Sequence, residues 1–108
     1  MQFSKPVGEI TVGEVSTVGS TGQTLVKGEI KELAADGISV LEGGEIDYLE
    51  IKRNIQTQGQ DVVSYHVNGG KVKKLSIDGE IVAKGEKSKE VLVENNGETD
   101  KKDLEKYL

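Results

Sequence analysis

The chain has 108 residues, of which 34% are hydrophobic and only four aromatic (Phe3, Tyr48, Tyr65, Tyr107), and its 14 basic and 19 acidic side chains leave a net charge of −5. That length suits a single domain, and the core must be built from Val, Ile and Leu in β-branched packing. The acidic balance argues against nonspecific attraction to nucleic-acid phosphates, and with no cysteine the chain has no disulfide, thiolate metal site or cysteine nucleophile.

From the N-terminus, Met1-Gln2-Phe3-Ser4-Lys5-Pro6 opens no apolar run of signal-peptide length, and no stretch approaches the roughly 18 apolar residues of a membrane span. The expectation is a cytoplasmic or virion-associated protein without membrane insertion. Residues 1–23 read as a strand and loop segment. Strand-like alternation follows at 24–33, 38–41, 45–55, 62–67, 71–77, 80–83 and 90–94, with glycines between the runs. Residues 97–108 form a polar tail or short helix, with Asp100 as its N-cap and Leu104 and Leu108 spaced to share a face.

Fourteen glycines stand against one proline. Asp36-Gly37 and Asp78-Gly79 each separate two apolar runs by two residues, which predicts type I′ hairpin turns because Asp and Gly accept positive φ. Gly43-Gly44 and Asn68-Gly69-Gly70 predict further hairpins, the extra glycine allowing a bulge. The segments 28–43 and 70–85 align without gaps and share seven of sixteen residues, among them Leu33/Leu75, Asp36/Asp78 and Gly37/Gly79. This predicts two related three-stranded units, 24–54 and 66–96, in a single domain spanning 1–108. The expected fold class is all-β, with antiparallel hairpins forming a small barrel or sandwich.

A second pattern, Gly-x-Φ-x-x-Φ-x-Φ, occurs at Gly28-Ile30-Leu33-Ala35, Gly44-Ile46-Leu49-Ile51 and Gly70-Val72-Leu75-Ile77. A step of three inside a period of two needs a bulge or corner if all three apolar side chains are to face one core. It places Leu33, Leu49, Ile51, Leu75 and Ile77 together in that core. The repeated Gly-Glu-Ile steps resemble bactofilin-type polymer-forming solenoids, but the spacings of 16 and 26 residues argue against a regular solenoid, whose coil length is nearly constant. The segment 68–85 resembles a hairpin of lectin-like jelly rolls. No family and no function follow from a likeness at hairpin level.

Few residues carry chemistry. The single histidine, His66, lies in Val62-Val63-Ser64-Tyr65-His66-Val67, where alternation puts Ser64 and His66 on one face and no nucleophile elbow presents the serine. Nineteen carboxylates guarantee some close pair in any fold, so their abundance identifies no glycosidase site, and there is no tryptophan to hold sugar. Glu94, Asn96, Gly97 and Asp103 have the spacing of the back half of a calcium loop, yet its first position is Leu92, so the reading is a polar turn into a capped helix. No glycine-rich phosphate motif is present. Accordingly no catalytic, cofactor or metal residue is assigned and the chain is not read as an enzyme.

The expected function is a non-catalytic binding or assembly module, of the kind found among bacterial or phage structural and accessory proteins. Its partner would be another protein or a second copy of itself, not nucleic acid. The alternative is a small carbohydrate-binding domain in which Tyr48 or Tyr65 stacks on sugar. Charge marks the expected interaction surface: residues 28–50 hold seven acids against one base, and 70–92 hold six lysines against four acids. The surface residues are Glu29, Glu32, Glu42, Glu45 and Asp47 on one unit and Lys71, Lys73 and Lys74 on the other. Were the two units to face each other, these charges would satisfy one another within one molecule.

Overall fold

The computed structural model describes residues 2–12, 15–16, 29–30 and 37–108. They form the strands β1 (Gln2–Phe3), β2 (Pro6–Val12), β3 (Val15–Ser16), β4 (Glu29–Ile30), β5 (Ile38–Leu41), β6 (Glu45–Ile51) and β7 (Ile55–Thr57). These are followed by β8 (Val63–Asn68), β9 (Lys71–Val72), β10 (Leu75–Ile77), β11 (Ile81–Ala83), β12 (Lys89–Glu94) and β13 (Glu98–Thr99). One turn of 3-10 helix, Glu105–Tyr107, comes last.

Every strand pairing among the described residues is parallel, and this overturns the expected antiparallel hairpins and the barrel or sandwich built from them. The chain winds as a β-solenoid with three sheets. The first sheet has the order β1-β5-β8-β12, the second β4-β2-β6-β9-β13 with β10 also against β6, and the third β3-β7-β11. Apart from β4, which lies beside β2 in the second sheet, and β10, which follows β9 within that sheet, the strands visit the three sheets in turn, and strands one circuit apart are hydrogen-bonded neighbours.

The circuit length is 26 residues through the middle of the molecule, where Leu75 lies beside Leu49 and Ile81 beside Ile55. Between the first and second circuits it is 39, Ile10 lying beside Leu49. Like side chains therefore stack. The columns Ile46/Val72, Leu49/Leu75, Ile51/Ile77, Ile55/Ile81 and Val40/Val67/Val93 line the interior. Leu49 and Ile51 are fully buried, Leu75 nearly so, and Ile77 packs against them, so the step of three turns all its apolar residues inward; Leu33 lies outside the described residues.

The bend this requires falls where Lys73-Lys74 separates β9 from β10, both of which lie along the unbroken β6. The ladder continues through it, with Leu49 N–H donating to the Lys74 carbonyl at 2.9 Å.

The expected turns are corners. Gly43 and Gly69 hold the corner between the first and second sheets at φ 89° and 86°, a region that costs a side chain its comfort, and Asn95 and Asn96 take that place in the last circuit at φ 54° and 64°. Gly79 follows another logic. It stands between β10 and β11, in different sheets, and a Cβ there would come within 2.5 Å of Asn54 Oδ1 and into the Arg53 carbonyl of the circuit beneath. Asp78-Gly79 is therefore no hairpin turn; Gly37 precedes β5 in the first sheet at φ 77°, and its partner Asp36 lies outside the described residues.

Candidate functional site

The second sheet turns its inner face to the core and its outer face to solvent, and of the predicted charged residues Glu45, Asp47, Lys71 and Lys73 come together on that outer face. Lys71 lies beside Glu45 across the β6-β9 ladder. Lys73 Nζ reaches Glu45 Oε1 at 3.1 Å and Asp47 Oδ1 at 3.3 Å. Hydrogen bonds to Glu45 first and Asp47 second hold the Lys73 ammonium above its usual pKa. Here the acidic and basic stretches are adjacent rungs of one sheet, and Lys73 offsets Glu45 and Asp47 within the molecule. Glu42 is exposed at the corner between the first and second sheets, Glu29 lies in β4 at the far edge of the second, and Glu32 lies outside the described residues.

Beside this pair runs an open groove of about 900 Å³, bordered by Glu9, Tyr48, Lys74, Ser76 and Lys102. Tyr48 is half-buried between Glu9, its neighbour on β2, and the Lys73-Lys74 bend. The groove's other wall is the tail, through Asp100 and Asp103. Sequence reasoning missed the tail's part in this site, because nothing in the tail's own pattern says where it docks.

The groups that looked available for chemistry have structural partners. Ser64 does not share a face with His66. It is fully buried, its hydroxyl paired with Thr57 Oγ1 at 2.8 Å and reaching the Val82 carbonyl at 3.2 Å, because the chain turns its corner there and alternation begins only at Tyr65. His66, half-buried on the outer face of the first sheet, meets Glu94 Oε2 through Nε2 at 2.5 Å. Tyr65, also proposed for sugar stacking, is fully buried and pairs with Thr99 Oγ1 at 2.8 Å. Burial pushes its phenol pKa well up, the Thr99 hydrogen bond opposes this, and Asp100 adds to it.

The residues spaced like a calcium loop are likewise dispersed. Glu94 faces His66, Asn96 holds its corner, and Asp103 Oδ2 accepts the Ile77 N–H at 3.0 Å. Asp103 does this as part of a series. Asp100 Oδ2 accepts from Leu75 N–H at 3.1 Å, and the Tyr107 hydroxyl accepts from Ile81 N–H at 2.8 Å. Leu104 inserts into the core with no exposed surface, whereas Leu108 stays 62% exposed, so the two do not share a buried face.

Among the described residues no buried side-chain nitrogen or oxygen lacks a hydrogen-bond partner, and no helix is long and apolar enough to cross a membrane. Comparison with known proteins finds no matching family model, curated protein or solved structure.

Proposed function

We propose that the chain is a non-catalytic binding or assembly module whose recognition surface is the outer face of the second sheet. The observation that carries this reading is the groove, where Tyr48 offers a half-buried ring among Glu9, Lys74, Ser76 and Lys102 on a rigid parallel ladder. Shape and mixed charge of this kind suit a polar protein surface, and aromatic residues with flanking charges are common anchors of such contacts. Supporting the non-catalytic part, Ser64, Tyr65, His66, Asp100 and Asp103 are engaged in hydrogen bonds that hold the fold.

With Lys73 already neutralised, contacts between copies would rest on Lys74, Lys102 and Glu9, and would weaken as salt rises. Sedimentation velocity across a concentration and salt series tests this: association at low salt, lost in Lys74→Glu, is the expected result. Tyr48 also supports the second reading, a carbohydrate-binding surface, since a ring flanked by polar groups can stack on a sugar. A glycan array read with wild type and Tyr48→Ala tests that reading. A protein that is monomeric at every ionic strength and captures no glycan would overturn both.

A further inference from the structure

The last circuit of the solenoid keeps its register but changes its chemistry. Through β12 and β13 it pairs backbone to backbone with β8 and β9. At Asp100 the backbone leaves the ladder, after its own N–H donates to the Val72 carbonyl at 3.1 Å. Residues 100–108 then serve the N–H groups of β10 and β11 with side chains.

The positions are those of a next circuit. Asp103 lies 26 residues beyond Ile77 and Tyr107 lies 26 beyond Ile81, the separation at which Leu75 follows Leu49. Asp100, 25 residues beyond Leu75, supplies the third acceptor. In each case a carboxylate or phenol oxygen stands where a further strand would offer a carbonyl. Leu104, fully buried, closes the core between them.

We propose that residues 100–108 are a degenerate circuit that terminates the solenoid and keeps the edges of β10 and β11 from pairing with a second copy of this chain. An unpaired parallel edge is a template for another strand, and solenoids need their ends covered. Among the described residues the third sheet runs from β11 at one end to β3 at the other, so a second copy stacked head to tail would continue the sheet in the parallel sense its strands already have. Such a contact is heterologous and does not close, so it propagates. This inference does not rest on the reading of the groove, and the two separate by salt dependence, because a backbone ladder is not screened as surface charges are.

The test uses the full chain carrying Asp100→Ala, Asp103→Ala and Tyr107→Phe together. Hydrogen exchange at Leu75, Ile77 and Ile81 reports the cap, and sedimentation velocity reports association. In dilute solution these three amides should exchange at least about tenfold faster than in wild type, consistent with loss of their acceptors. At high concentration higher-mass species should form, persist at high salt and in a Lys74→Glu background, and restore protection to the same amides. Should the triple variant fail to fold, Tyr107→Phe alone is measured in the same way at Ile81. A folded variant with those amides unprotected that stays monomeric at every concentration overturns the proposal, as does wild type forming the same salt-resistant species to the same extent.

Discussion

The middle of the solenoid and its last circuit solve the same problem by different means. Between β6 and β10, or β7 and β11, apolar residues repeat in register and backbone carbonyls meet the N–H groups of the next strand. In the tail, polar side chains meet those N–H groups and one leucine replaces the inward row. A repeat is continued by stacking like on like and ended by substituting acceptors that do not themselves present a new edge. Both devices cost the chain little length, since each works at the same interval.

The comparison is sharpest when one leucine is removed from each region. Leu49→Ala takes a fully buried side chain from the Leu49/Leu75 column, and Leu104→Ala takes the equally buried plug of the tail. Each should cost about 2–5 kcal/mol by the usual cavity argument, read from chemical denaturation. A Leu104→Ala cost below about 0.5 kcal/mol would make the tail an appendage and leave the end of the solenoid uncapped.

Gly79 probes the stacking itself. Its Cβ site is filled by the Arg53 carbonyl and Asn54 Oδ1, and Asn54 Oδ1 also accepts the Glu80 N–H at 2.9 Å. Gly79→Ala should therefore destabilise by about 1–3 kcal/mol, as overpacking against backbone does. Here the glycine answers to the neighbouring circuit; Gly69 answers to its own φ of 86°. An unchanged denaturation midpoint for Gly79→Ala would mean that the circuits are not as closely stacked as the glycine contact requires.

These residues also show what could be read from the chain beforehand. The alternation of Ile38–Leu41, the burial of Leu49, Ile51 and Leu75, and the inward step of three were legible, because they depend on local period alone. Pairing direction was not. Two apolar runs joined by Asp78-Gly79 look alike whether the second strand folds back on the first or turns a corner into another sheet, and only the circuit beneath decides.

The spacing of 26 between Gly44 and Gly70 is the true period, masked in the sequence because Gly28 lies only 16 before Gly44. The better guide omits the glycine. Val7, Ile10 and Val12 repeat the apolar step and pair in register with Ile46, Leu49 and Ile51, but Lys5 stands where Gly44 does, so the glycine-led pattern passed over them. Of the candidate surface, the charges were visible and their mutual neutralisation was one of two readings the sequence leaves open, decided only by β6 and β9 lying side by side.

Tyr65 joins the two regions, rooted in β8 and hydrogen-bonded to Thr99 just before the tail departs. Its phenol keeps its proton more tightly in the folded chain, chiefly because of burial. In the unfolded chain a tyrosine ionises near pH ~10. Above that pH the folded state binds more protons than the unfolded one, so this contribution is fully present below about pH 10 and is lost as pH rises through the folded pKa. Denaturant titrations at pH 8 and above pH 10 should show stability falling with pH, with a shallower fall in Tyr65→Phe. The phenylalanine variant should lose only about 0.5–1.5 kcal/mol at pH 8, the net worth of one hydrogen bond. Equal slopes for the two proteins would assign the alkaline loss to other groups.

The smallest effect is expected on the outer face of the second sheet, at Lys73. Its ammonium touches two carboxylates, which looks like a clamp between adjacent circuits, yet its side chain is 60% exposed and those of Glu45 and Asp47 are 40% and 57% exposed. Charges so exposed are screened by water and salt, and holding a long side chain in one pose costs rotamer freedom, so such pairs add little to stability. The circuits are already joined beneath by the β6-β9 ladder and by the Ile46/Val72 column. Lys73→Met, which keeps the aliphatic stem and removes the charge, should leave the thermal midpoint unchanged within error at both low and high salt. It should nevertheless alter recognition, because removing the lysine leaves Glu45 and Asp47 uncompensated at the edge of the groove and makes the face more acidic. If the variant instead lost stability at low salt and regained parity with wild type at high salt, surface charge would be holding the circuits together, and the division between an apolar, ladder-built interior and a surface reserved for binding would fail at this point.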